Sequence, residues 1–185
     1  MRNIPGMLII GGNARNIGKT TLACRIIKEF SDHHDIIGLK IVTHRKGDEN
    51  YHGTKEKELT DEFKIFEEKN AGIPKDTARM LRAGAKKVFM IRTKEQFLKE
   101  AINKFFSMIN SSNIFVCESN SLNNIIKAGV YLMVKSPYVE NEKQSARKLE
   151  KIADMVILSE QNSVAIENID INLKLLNDKW ILNNT

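Results

Sequence analysis

A chain of 185 residues, 42% hydrophobic and 28% charged, can bury one core and has the balance of an ordinary globular domain rather than a disordered or fibrous chain. No apolar run approaches the roughly 20 residues that span a bilayer, the amino terminus lacks a signal-peptide layout, and two cysteines, Cys24 and Cys117, are too few for a disulfide framework, so a reducing cytoplasm is the expected compartment. The formal charge of +6 draws anions without choosing among them, and with aromatics at 6% and no basic stretch interleaved with them a nucleic-acid stacking platform is not indicated.

The first expected element is a buried strand at 7–10 (MLII), closed by Gly11 and Gly12. Leu22, Ala23, Ile26, Ile27 and Phe30 recur at helical spacing, which predicts a helix over 19–31. Residues 35–42 read as a second strand. The following stretch, 43–59, is polar and charged with Gly47 and Gly53, and reads as a mobile loop. Short helices are expected around 61–69 and 75–82, then a strand at 87–91. Phe97, Leu98, Ala101, Ile102, Phe105 and Ile109 form the apolar stripe of a long helix. Strands follow at 113–117 and 130–134 with a helical segment near 122–127 between them, and a helix over 142–152 leads into a strand at 155–158. From 163 to 185 the pattern is ambiguous, with one more strand and a short helix as the expectation. Strands without alternation, interleaved with helices, predict a mainly parallel central sheet flanked by helices, three α/β layers in one domain of 1–185.

Between the first strand and first helix lies Gly11-Gly12-Asn13-Ala14-Arg15-Asn16-Ile17-Gly18-Lys19-Thr20-Thr21. A glycine-containing loop ending in Gly-Lys-Thr at that junction is the P-loop arrangement, because backbone N–H groups and the helix dipole together cradle a phosphate. The expected binding set is Gly12, Asn13, Asn16, Ile17, Gly18, Lys19, Thr20 and Thr21. Lys19 is to reach the β- and γ-oxygens, Thr20 to ligate Mg²⁺, and Thr21 to donate to the α-phosphate. The usual spacing places the first glycine at position 13, which is Asn13. Either asparagine takes a left-handed conformation there, or the loop is one residue longer. The second option, Gly12 followed by five residues and Gly18-Lys19-Thr20, resembles the extended loop of dethiobiotin synthetases.

Three further segments carry a second resemblance. GLKIVTH at 38–44 ends a strand, DTARMLRAGA at 76–85 precedes one, and VCESNSL at 116–122 ends another. With the phosphate loop, over roughly residues 7–160, they resemble MobB-type proteins, the nucleotide-binding adaptors of molybdopterin-guanine dinucleotide synthesis. The resemblance implies a three-layer P-loop NTPase fold, Mg²⁺ with GTP (or ATP, since no Asn-Lys-x-Asp guanine-reading motif is present), slow hydrolysis, a cofactor-biosynthesis enzyme as protein partner, and a homodimer. It also implies that Glu118 is the carboxylate that holds Mg²⁺ with Thr20. Ser119 stands where the family carries glycine, a departure that bears on the shape of that loop.

Lys40 resembles the phosphate-contacting lysine of dethiobiotin synthetases; a salt bridge or a solvated strand end is the alternative. Lys19, Glu118 and Lys40 are thus the catalytic candidates. Asp76 and Arg79, three apart on one helical face, read as an ion pair before a γ-phosphate switch, and Ala83-Gly84-Ala85 as close helix-to-sheet packing. His44 is expected free on the mobile loop, and Cys117 as a small buried strand residue rather than a nucleophile. His33 with His34, and His44 with His52, are too sparse for a metal-delivery GTPase. Lys55–Lys57 read as solvated loop, and Lys135-Ser136-Pro137 and 159–162 as loops where a base would bind. The rival to the adaptor is an ATP-dependent ligase or kinase whose 43–59 loop closes over an acceptor.

Overall fold

The computed structural model describes residues 1–45, 61–139, 144–159, 166 and 169–183. Its centre is a seven-stranded sheet in the order β3-β4-β2-β5-β1-β6-β7. The strands are β1 (Arg2–Gly12), β2 (Ile36–His44), β3 (Phe63–Glu68), β4 (Lys87–Lys94), β5 (Ile114–Glu118), β6 (Ile126–Lys135) and β7 (Met155–Leu158). Every pairing is parallel except β3 with β4. Consecutive residues of the inner strands supply both faces. Leu8, Ile10, Val116, Leu132 and Val134 join one core cluster with Leu22, Ala23, Ile26 and Ile27 of helix α1 (Lys19–Phe30) and Met80 of α2 (Asp76–Arg82). Met7, Ile9, Phe115, Cys117 and Met133 join the other with Leu98, Ala101, Ile102 and Phe105 of α3 (Leu98–Met108) and Leu149 of α4 (Gln144–Glu150). Two-sided burial of a mainly parallel sheet is what the unbroken apolar runs demand.

Three expectations need correction and a fourth is extended. Residues 61–69 form no helix: Phe63 and Ile65, packed against the core, alternate with exposed Lys64 and Phe66, and this period of two makes β3 an antiparallel edge strand on β4. The segment near 122–127 is one 3₁₀ turn, Leu122–Asn124, after which β6 begins at Ile126. Its early start pairs with an early start of β1: Arg2–Ile4 lie beside 126–128, and the register shifts before Leu8 meets Val130. Pro5, which has no N–H for the ladder, sits at that shift. The carboxyl-terminal stretch holds no described helix longer than the helical residue Ile166; it forms a hairpin of β8 (Leu173–Leu176) and β9 (Lys179–Leu182). Finally, Gly84 does more than allow close packing, because at φ 108° it ends α2 in the left-handed conformation, with its N–H bonded to Leu81 O at 3.1 Å.

No helix among the described residues is long and apolar enough to cross a membrane. The helix expected at 142–152 is seen from Gln144, and His52, Lys55–Lys57 and nearly all of the expected 43–59 loop lie outside the described residues, as do 160–162.

Candidate functional site

The carboxyl ends of β1, β2 and β5 converge on the β1–α1 loop. Gly12 closes β1 under tight constraint: a Cβ there would stand 2.8 Å from Ile17 Cδ1 and 2.9 Å from Val134 O. The left-handed residues of the loop are Asn16 (φ 56°) and Gly18 (φ 95°). Asn13 is not among them, which corrects the expectation that its tolerance for positive φ explains its place. Its side chain is a clamp instead. Asn13 Nδ2 donates to Ser136 O at 2.9 Å, and Ser136 N donates back to Asn13 Oδ1 at 2.9 Å, fixing the loop to the exit of β6.

A second clamp escaped the sequence reading. Asn120 Nδ2 donates to Gly12 O at 2.9 Å while Gly12 N donates to Asn120 Oδ1 at 2.8 Å. The two amides hold the start of the loop from both neighbouring strand ends. Ile17 turns its side chain into the core, and Gly18 leads directly into α1 with Ile166 packed where a Cβ would stand. Lys19 then folds back across the loop and its ammonium donates to Ala14 O. Burial lowers the Lys19 pKa below its usual value, and Glu118 opposes this only in part.

Beside the loop, Glu118 ends β5 in register with Ile10 of β1 and Lys40 of β2. Thr20 Oγ1 donates to Glu118 Oε2 at 2.6 Å, and Lys40 Nζ donates to Glu118 Oε1 at 3.2 Å. Lys40 also donates to Asp76, the first residue of α2, so its ammonium lies between two carboxylates. Burial alone would lower the Lys40 pKa; Glu118 and Asp76 outweigh it and raise the value. The expected Asp76–Arg79 pair is present at 3.8 Å but is the weaker contact of each partner. Asp76 binds Lys40, and Arg79 Nη2 donates to Thr21 Oγ1 at 3.0 Å.

An ammonium held by two carboxylates, with the Thr20 hydroxyl on one of them, marks a place that suits a cation. Thr20, Glu118 and Asp76 offer the hard oxygen donors that Mg²⁺ takes, and one or two carboxylates suffice where phosphate and water complete its shell. Among the described residues no group of three or more His, Cys, Asp and Glu gathers to hold a metal by itself.

The remaining expected residues fall as follows. His44 is the last residue of β2, opposite Lys94, and not on a free loop. His33 and His34 lie in the turn after α1, where both N–H groups bond Phe30 O, at the opposite end of the sheet. Cys117 is wholly buried, and burial pushes its thiol well up, which leaves it inert. Ser119 keeps a negative φ and is buried; its Oγ accepts from Leu122 N at 3.1 Å, at the start of the 3₁₀ turn. Thr43 Oγ1 and Ser121 Oγ meet at 2.5 Å beside it. An open depression of about 580 Å³ lies away from all this, near Asp35, Asn113 and Asp178. The convergence of charge, not the size of a hollow, locates the candidate site.

Comparison of the chain with protein-family models, with curated proteins and with solved structures finds no match.

Proposed function

We propose that this chain is a P-loop protein that binds a nucleoside triphosphate with Mg²⁺ on the β1–α1 loop and hydrolyses it slowly. The observation that carries the reading is Lys19, arched over a loop with left-handed Asn16 and Gly18 at the start of α1, beside the Thr20–Glu118 contact of 2.6 Å. Backbone N–H groups at the amino end of α1 cradle the β-phosphate. Lys19 exchanges Ala14 O for phosphate oxygens, and the burial that lowers its pKa favours an anionic partner for its ammonium. Thr20, Glu118 and Asp76 are the residues that would hold Mg²⁺, and Lys40 is the cation already seated among the carboxylates. When bound, Mg²⁺ neutralises charge on the phosphoryl oxygens. This reading assigns Glu118 and Asp76 to Mg²⁺, so neither serves as the base that orients an attacking water, which supports slow turnover.

The sequence resemblance to MobB-type proteins supports GTP over ATP, a cytoplasmic, dimeric adaptor, and a partner enzyme of molybdopterin-guanine dinucleotide synthesis. A second reading, an ATP-dependent ligase or kinase like dethiobiotin synthetase, draws on the hydroxyl group of Thr43, Ser119 and Ser121 beside the strand ends, which suits a polar acceptor.

A thermal-shift panel of ATP, GTP and their non-hydrolysable analogues, with and without Mg²⁺, tests the site. A nucleotide at 100 times its Kd adds about 2.7 kcal/mol, roughly 5–10 °C for a chain of this length. The expected result is a Mg²⁺-dependent shift, larger with GTP, that Glu118→Gln loses in its Mg²⁺ dependence. No shift with any nucleotide overturns the proposal; phosphate release accelerated by one small metabolite favours the ligase or kinase.

A further inference from the structure

Arg79 belongs to α2, yet its best-defined contact is on α1. Its Nη2 donates to Thr21 Oγ1 at 3.0 Å, across 58 residues of sequence. A guanidinium carries donors and no acceptor, so in this contact the threonine oxygen must accept. That fixes the polarity of the Thr21 hydroxyl, whose single proton is left to be given elsewhere. Thr21 sits in the first turn of α1, two residues after Lys19, at the helix end that the phosphate-site reading assigns to the ligand. Arg79 is 41% exposed and only loosely paired with Asp76 at 3.8 Å, so its charge is not consumed within α2.

We propose that Arg79 is a positioning residue for the ligand's α-phosphate: it holds the Thr21 hydroxyl as a donor and brings one positive charge from α2 to the phosphate chain. The inference rests on the phosphate-site reading above. It also ties α2 to the state of the site, because the same helix is linked to Lys40 through Asp76 and to β3 through Thr77 Oγ1, which donates to Glu68 Oε2 at 2.9 Å.

The test is a double-mutant cycle of Arg79→Ala and Thr21→Val, with Kd for Mg²⁺-GTP and Mg²⁺-ATP measured by titration calorimetry and each variant's melting temperature measured without ligand. A hydrogen bond to a charged group sets the scale, so Arg79→Ala should bind roughly 10- to 100-fold more weakly. The double variant should be no weaker than the worse single one. Arg79→Lys, which keeps the charge and loses the fork, should recover part of the affinity. Ligand-free melting temperatures should fall by no more than a few degrees, since Arg79→Ala also removes the contact to Thr21 within the protein; a merely structural role for Arg79 would lower them and leave Kd at the wild-type value. Wild-type affinity in Arg79→Ala, or losses that simply multiply in the double variant, overturn the inference and leave the phosphate site standing. A wild-type protein that binds neither nucleotide overturns both.

Discussion

The two ends of the central sheet are built on opposite principles. At the carboxyl ends of β1, β2 and β5, charge is gathered and half-buried: Lys19, Lys40, Glu118 and Asp76 find partners chiefly in one another and in the loop itself. Toward the amino ends the same strands are closed by an apolar plug. Trp180 of β9 is 2% exposed, donates its indole N–H to Phe115 O at 3.1 Å, and meets the Phe30 ring edge-on at 5.0 Å. A cluster of mutually paired charges stabilises little, because desolvation consumes most of the attraction. A buried indole stabilises a great deal. The fold is therefore held chiefly at one end, and the proposed exchange of internal partners for a ligand takes place at the other.

The largest effect that can break this comparison is on the plug. Truncating a buried Trp costs about 3–5 kcal/mol, so Trp180→Ala should lower the melting temperature by roughly 6–20 °C. Trp180→Phe, which keeps most of the volume and leaves Phe115 O without its donor, should cost about 1–3 kcal/mol. The nucleotide Kd of Trp180→Phe should match wild type; a tenfold change would mean that the two ends are mechanically coupled.

The complementary substitution is Lys19→Met. Loss of the charge-assisted contacts to phosphate should weaken Mg²⁺-nucleotide binding by roughly a hundredfold or more. The sign of its effect on the ligand-free protein is opposite. Burial lowers the Lys19 pKa, so the folded state disfavours the ammonium, and near neutral pH the fold carries that cost. Methionine removes it, and the ligand-free melting temperature should hold or rise, at about 2–4 °C per kcal/mol. A fall of several degrees would place Lys19 among the groups that hold the fold together.

Lys40 gives the smaller, pH-dependent version of this test. Its pKa is raised above the usual 10.5, so its contribution to stability is complete below that value and is lost as pH rises through the folded-state value. Thermal melts from about pH 10 upward should show wild type losing stability more steeply than Lys40→Met, whose carboxylates lack the ammonium at every pH. Equal slopes would remove Lys40 from the pair network.

How much of this was legible in the sequence divides along the same line. The loop from Gly12 to Thr21 was readable because its spacing and its strand–helix setting report a backbone shape that few residues permit. Glu118 was readable as a strand end, whereas Lys40, expected to end its strand, lies midway along β2, which runs on to His44. Asn120 was not, since an asparagine that bonds a glycine 108 residues away leaves no local pattern. The Asn13–Ser136 clamp hid for the same reason, and Asn13 was assigned a backbone role that Asn16 fills. The strand β3 was missed for a different cause: its alternation was present in Phe63, Lys64 and Ile65, but over so few residues a helical spacing fits as well. The hairpin had its signal in the sequence, with Asn177 and Asp178 between Leu-rich and Trp-containing runs.

That turn supplies the last prediction and the finest test of independence between the two ends. Asn177 and Asp178 have φ of 49° and 59°, the paired left-handed conformation of a two-residue type I′ hairpin turn. The second position of this turn favours glycine, because any side chain there is held in a left-handed conformation at some cost. Asp178→Gly relieves that cost while giving the unfolded chain more freedom to lose, and the first term is larger where φ is positive. The net gain should be a few tenths of a kcal/mol to about 1 kcal/mol, read as a rise in melting temperature of no more than about 4 °C. Nucleotide affinity and its Mg²⁺ dependence should not change. If Asp178→Gly instead lowers stability, the Asp178 side chain makes a contact in the amino-end depression that outweighs turn strain, and the plug is not purely apolar.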